Sequence, residues 1–203
     1  MFPALVIGVR GRQQHLMDSP SYSNLGECSK VLEVCTLLLQ ESHLNVKASD
    51  IGIIAAFRSQ VLALRLVLRA QGLRGVSVGS VEDFQGQENR VIIISTVLST
   101  LPPLESGEHI GLFGDSRRFN VAVTRAQALV VVIGHPHVLY LDRYFRQFLE
   151  YCLKNKAAIG FDSDDGNSSS PQDVLHSLGW ESALGEKAHV NYYSDNQEWR
   201  VML

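Results

Sequence analysis

Hydrophobic and polar positions alternate along this chain in blocks that switch between a strand-like and a helix-like period. Pro3–Gly11 (PALVIGVRG) is a short apolar run of the strand kind. Asn24–Gln40 repeats apolar residues at helical spacing, and Asn24 with Glu27 has the spacing of a capping box. Asp50–Phe57 (DIGIIAAF) predicts a buried strand, since a continuous apolar run suits a sheet covered on both faces. Arg58–Gln71 predicts a helix closed by Gly72. Val76–Ser80 and Arg90–Val97 (RVIIISTV) predict two more strands. Leu98–Gly114, with its Pro and Gly residues, predicts a loop. A helix is expected within Ser116–Ala126, a strand over Ala128–Gly134 (ALVVVIG), and helix in one or two pieces over Val138–Lys154.

Strands that alternate with helices predict an α/β fold with a mainly parallel sheet and helices on both faces. Ligands in such sheets bind at the carboxyl ends of the strands, and the chemistry-bearing blocks below bracket strands in that way. From about Phe161 the composition changes. The stretch DSDDGNSSSP is polar and acidic and predicts a flexible tail over 161–203, beyond a body of 1–160.

Charge follows the same division. The body carries 16 Lys+Arg against 13 Asp+Glu, and the tail 2 against 8, which together give the net −3. A mildly basic body permits phosphate binding without requiring it. Membrane spans are not expected, because no apolar run approaches the ~18 residues required. Cys28 and Cys35 lie seven apart on one expected helix, a rise of about 10 Å, too far for a disulfide. They and Cys152 read as buried reduced thiols of a cytosolic protein. His135 and His137 have the spacing of a metal pair but no matching third ligand, so no metal site is expected. Trp180 and Trp199 in the tail read equally as docking anchors or as packing on the body.

Two blocks carry the candidate chemistry. SVEDFQGQE, Ser80–Glu88, precedes the strand RVIIISTV. FNVAVTRAQ, Phe119–Gln127, places Arg125 between a short helix and the strand ALVVVIG. An arginine held there by rigid elements is well placed to meet a phosphate. No G-x-x-x-x-G-K-[ST] loop occurs anywhere, and no acidic run ends an apolar strand to hold magnesium. The chain alone is therefore not expected to hydrolyse a nucleotide. Ser80 has the spacing of a helix cap boxed by Asp83. Arg58, Arg65 and Arg69 share one helical face, more in keeping with a solvated surface than with a backbone track. Arg117 and Arg118 read as loop anchors or as RNA contacts.

In order and about forty residues apart, the two blocks resemble motifs V and VI of superfamily-one helicases. The wider run RRFNVAVTRAQALVVVIGHP, with FLEYCLKN at Phe148–Asn155 and Glu198-Trp199-Arg200, is similar to the Upf-one-like group of RNA helicases, and within it to the Mov-ten type. The resemblance covers about residues 3–158. It implies a second RecA-like domain, N-terminally incomplete, of an ATP-dependent RNA helicase moving 5′→3′ and acting in RNA silencing. Arg125 would be the arginine finger. Gln85, Gly86 and Glu88 would lie at the nucleotide, Gln85 fixing the turn and Glu88 near the ribose or γ-phosphate side. Ser80, Val81, Arg58 and Arg118 would meet nucleic acid.

ATP and Mg2+ would be held mainly by a first RecA-like domain absent from this chain. Further implied partners are single-stranded RNA and silencing or decay ribonucleoproteins, in the cytoplasm and its P-bodies. Three departures stand out. Ile53–Gln60 replaces a usual Ser/Thr-Pro-Tyr, so Ala55 lacks a hydroxyl and Phe57 a phenol. Gln127 replaces a basic residue. The Gln-Tyr-Arg block, with its second arginine, is expected upstream of the chain's start. Two alternatives stay open, a DNA helicase of the same superfamily and a truncated, non-catalytic RNA- or protein-binding module.

Overall fold

A computed structural model of the chain describes residues 3–15, 19–101 and 110–161. The expected tail, with Trp180, Trp199 and Glu198-Trp199-Arg200, lies outside the described residues, as does part of the loop after Leu98.

The centre is a six-stranded sheet built of β1 (Ala4–Gly8), β4 (Ile51–Ala55), β5 (Ser77–Gly79), β6 (Asn89–Ser95), β7 (Ala126–Gly134) and β8 (Ala158–Ile159). Its order is β5-β4-β6-β7-β1-β8, and every pairing is parallel. The α/β fold expected from the pattern, RecA-like by the resemblance, is thus present. Two two-residue strands, β2 (Gln14–His15) and β3 (Tyr22–Ser23), form a separate antiparallel pair.

Side chains alternate across the sheet, so each strand serves two cores. On one face Ile51, Ile53, Val91, Ile93, Val131 and Ile133 pack against α1 (Leu25–Gln40) and α2 (Arg58–Ala70). The helices contribute Val31, Cys35 and Leu38, and Val61, Leu64 and Leu68, at the three- and four-residue spacing of a buried stripe. Burying each such leucine or valine stabilises the fold by about 1.5–3 kcal/mol. The opposite face lies under α3 (Ser116–Val123), α4 (Pro136–Leu141) and α5 (Arg143–Lys154). The expected helix over 138–154 comes in two pieces because Asp142 caps α5, accepting from the Tyr144 and Phe145 N–H groups at 2.9 Å. Phe119 of α3 meets Phe145 edge-on, with ring centres 5.0 Å apart. Cys28, Cys35 and Cys152 are all buried and unbridged.

The crossover from β5 to β6 is unusually short. Residues 81–86 form turns rather than a helix, and Phe84 seats over β4. A side chain on Gly52 would meet the Phe84 ring at 2.6 Å, so only glycine allows this seat.

The capping box at α1 is half formed. Asn24 Oδ1 accepts from the Glu27 N–H at 3.2 Å, as expected. The Glu27 carboxyl does not return to Asn24, whose own N–H donates to Gln60 Oε1 at 2.8 Å. Glu27 instead turns into the protein toward the end of β6.

Candidate nucleotide and nucleic-acid site

Arg125 sits between Thr124, the cap that ends α3, and Ala126, the first residue of β7. Two features fix it. Phe119 ties α3 to α5 through ring contacts with Tyr144, Phe145 and Phe148. The Arg125 carbonyl accepts from Asn89 N at 3.1 Å, joining it to the start of β6. The ladder then bulges. Asn89 pairs with Ala126 and Val91 with Leu129, so β7 spends one extra residue directly after the arginine. A bulge of this kind re-aims the adjacent side chain.

The guanidinium is half-buried. Its Nε donates to Val121 O at 3.2 Å and one terminal nitrogen to Thr124 Oγ1 at 3.1 Å. Three of its five N–H donors then remain, and among the described residues no carboxylate pairs with it. That chemistry suits a phosphate oxygen.

The Ser80–Glu88 block reaches the same place. Glu88 is exposed and precedes Asn89, whose N–H meets Arg125. Its Oε2 lies 3.5 Å from Gln127 Nε2, at the outer limit of a hydrogen bond. Gly86 has φ +80°, the left-handed region that favours glycine, with open space where a side chain would stand. The turn itself is pinned by Gln87, whose Nε2 donates to Asp83 O at 2.9 Å, while Gln85, exposed like Gln87, contributes its backbone N–H to Glu82 O at 3.1 Å. Gln87 was missed because two glutamines flank Gly86 and spacing alone does not rank them.

Gly86, Glu88 and Arg125 therefore meet at the amino ends of β6 and β7. The expectation that these blocks sit at carboxyl ends is corrected for all three, because both motifs run into their strands rather than out of them. Ser80 and Val81 follow the carboxyl end of β5, as Arg58 follows that of β4. Ser80 forms the reciprocal box expected, with its N–H donating to Asp83 Oδ2 at 2.8 Å and Asp83 N–H to Ser80 Oγ at 3.3 Å. Turns follow it instead of a helix. Val81 is buried.

Arg118 is engaged within the fold. Its guanidinium pairs with Glu82, the Nε at 2.9 Å, and donates to Gly111 O at 2.8 Å. Partial burial pushes the Glu82 carboxyl up, but hydrogen bonds from Arg118, the backbone and Ser80 bring it below its ordinary value. Arg58 is exposed at the start of α2 and shares a cleft of about 360 Å³ with Ser80, Asp83 and Arg65. Phe57, at the departure from the usual Ser/Thr-Pro-Tyr, packs edge-on to Tyr22 with ring centres 5.2 Å apart.

The carboxyl end of β6 holds a feature that no motif announced. Asn24, Glu27, Gln60, Ser95 and Thr96 are all fully buried and polar. Ser95 Oγ donates to Glu27 Oε2 at 2.6 Å, and the Val97 N–H to the Glu27 carboxyl at 2.9 Å. Gln60 Nε2 donates to Ser95 Oγ at 2.9 Å, and Asn24 Nδ2 to Val97 O at 3.0 Å. Val97 is thereby held at φ +75°, a strained geometry for a β-branched residue. Desolvation pushes the Glu27 carboxyl up to about 8, although Ser95 and the Val97 and Thr96 backbone oppose it.

Among the described residues no group of three His, Cys, Asp or Glu is placed to hold a metal. Among the described residues His135 Nδ1 is buried without a partner, and burial, then the charges of His137 and Arg10, push its imidazole below the ordinary value. No helix among the described residues is long and apolar enough to cross a membrane.

With this geometry in place, comparison with known proteins is decisive. The AAA domain family model matches residues 1–137. Human RNA helicase Mov10l1 is 46% identical over 162 residues, covering 79% of this chain and 13% of that protein. The chain belongs to the AAA domain family, and over most of its length it is similar to Mov-ten-type RNA helicases. The Drosophila melanogaster protein named "Probable RNA helicase armi" is 38% identical over 157 residues, 76% of this chain and 13% of that protein. An uncharacterised ATP-dependent helicase of Methanocaldococcus jannaschii is 30% identical over 149 residues, 73% of this chain and 20% of that protein. The chain thus spans a fifth or less of each of these relatives.

Proposed function

We propose that this chain is the second motor half of an ATP-dependent RNA helicase, and that Arg125 is its arginine finger. The observation that carries this is the half-buried Arg125 guanidinium, fixed by α3 and β7, with donors left over and no carboxylate paired with it among the described residues. Bound ATP with Mg2+ would supply the γ-phosphoryl group that passes to water, with ADP as the leaving group. Arg125 points its remaining N–H donors at the charge that builds on that group, an interaction worth roughly 10³–10⁵ in rate in related NTPases. Glu88 lies beside it, with Gly86 giving the turn that lets Glu88 leave the crossover. The magnesium ligands and phosphate cradle belong to another domain, since the sequence contains neither.

Single-stranded RNA lies along the Ser80 and Arg58 edge. The human and fly relatives are named RNA helicases, which favours RNA over DNA as the polymer. Translocation runs 5′→3′, in cytoplasmic granules of the silencing and decay machinery.

The test is RNA-stimulated ATP turnover by the longest natural polypeptide containing this chain, intact and as Arg125→Ala. Turnover should fall by about three decades with RNA affinity retained. Equal rates would remove the finger assignment. Equal stimulation by DNA and RNA of one sequence would remove the preference for RNA.

A further inference from the structure

Arginines collect at the outer edge of the sheet, beside β5, with β4 and β6 between that edge and the strand that follows the finger. Between Ile51 and Val81 the chain carries Arg58, Arg65, Arg69 and Arg74 and not one acidic residue. Arg65, Arg69 and Arg74 line a cleft of about 350 Å³ between the end of α2 and the edge strand β5, with Ser77 on its floor. Among the described residues that line this cleft none is acidic. All three arginines are exposed, and among the described residues none has an ion-pair partner.

Arg65 is held in place. Its Nε and one terminal nitrogen donate to Val78 O at 3.1 and 2.6 Å. This bond has two consequences. It pre-orders one cation of the cleft, and it occupies an outward carbonyl that an added peptide strand would need. With only three residues in β5, strand addition is a poor fit to this edge. A chain of phosphates needs no backbone partner and gains from each unpaired cation.

The cleft is also continuous with the edge already assigned to RNA. Arg65 lines both it and the cleft that holds Arg58 and Ser80. Along α2 the steps from Arg58 to Arg65 and Arg65 to Arg69 rise about 10 and 6 Å, on the scale of phosphate steps in an extended strand. Leu62, 52% exposed, offers apolar surface between them for a base or ribose.

We infer that single-stranded RNA leaving the Ser80 edge continues along a track formed by Arg65, Arg69 and Arg74, which grips its phosphates. This rests on the RNA reading above and extends it to a segment of polymer outside the two motifs. The track lengthens the occluded strand without touching the nucleotide site.

The experiment measures binding of the 203-residue chain to short and long single-stranded oligouridine, about 6 and about 15 nucleotides, by fluorescence anisotropy over a salt series. The variant is Arg69→Gln with Arg74→Gln, leaving Arg65 on Val78. Long-RNA affinity should fall about tenfold, and the salt slope should shrink by about 1.4, which is 0.7 for each phosphate released. Short-RNA affinity and the thermal midpoint should not change. Unchanged long-RNA affinity and slope would overturn the track while leaving the Ser80 edge intact. Equal displacement of long RNA by polyglutamate of matched charge would overturn RNA as the occupant. Failure of the unmutated chain to bind either length would remove both the track and the RNA reading beneath it.

Discussion

The two ends of this sheet are built on opposite principles. At the carboxyl end of β6, four buried polar side chains, Asn24, Glu27, Gln60 and Ser95, bond chiefly to each other and to Val97. At the amino ends of β6 and β7, Arg125 and Glu88 keep donors and acceptors in reserve. The first arrangement holds backbone in place, including a strained residue. The second leaves charge available for a ligand. A satisfied polar cluster contributes to stability, whereas an unsatisfied one at the surface contributes mainly to binding. Substitutions at the two ends should therefore separate stability from activity.

The largest stability effect is expected at Glu27. Glu27→Ala leaves Ser95 Oγ and the Val97 N–H without an acceptor and opens space beneath the end of β6. Unmaking two buried hydrogen bonds and a packed side chain should destabilise the chain by about 2–4 kcal/mol, read by urea unfolding. A loss under 0.5 kcal/mol would show that the cluster is not holding the strand.

Acidity sharpens the same point. The Glu27 carboxyl rises from 4.5 to about 8 on folding, so the folded state keeps a proton that the unfolded state has released. Stability from this group is full below about 4.5 and declines as pH rises toward about 8. The midpoint of urea unfolding should fall between pH 6 and 8 in the natural chain. In Glu27→Gln, which has no charge to bury, that decline should flatten. An identical decline in both would assign it to other groups. His135 works in the opposite sense, since a depressed imidazole loses stability as pH falls, so the two contributions are separable.

Much of this fold could be read from periodicity. The run Asp50–Phe57 contains β4, and the stripe over Arg58–Gln71 contains α2, because their apolar spacing directly reflects which side faces the core. Strands of two residues such as β2, β3 and β8 have no period to read. The position of Arg125 between helix and strand was legible because the apolar run after it is long. Which end of the sheet it occupies was not, since that depends on the path of the crossover. Glu27 was hidden for a physical reason. Its place three residues after Asn24 suits a surface capping box, and only the packing of β6 against α1 shows that the carboxyl turns inward. Val97 gave no sign either, because a valine with positive φ is held by tertiary bonds rather than by local preference.

At the open end, Gly86→Ala tests the turn alone. An added methyl meets nothing within 4 Å, so only the φ of +80° resists it. The expected loss is about 1 kcal/mol, the cost of the left-handed region for a residue with a side chain. A much larger loss would mean that the crossover is more tightly packed than its exposed residues show.

The smallest stability effect is expected at Arg125 itself. Arg125→Ala removes bonds to Val121 O and Thr124 Oγ1, each half-buried at the end of a helix. Val121 O and Thr124 Oγ1 lie near enough to the surface for water to replace the guanidinium, and no ion pair with a described carboxylate is broken. The midpoint of unfolding should move by less than about 0.5 kcal/mol. That near-silence is the informative result, because the same substitution is expected to remove about three decades of turnover in the longer polypeptide. A residue that matters to catalysis and not to folding belongs to the ligand. A loss of 2 kcal/mol or more would place Arg125 with Glu27, as a fastening of the sheet, and would take away the observation on which the finger assignment stands.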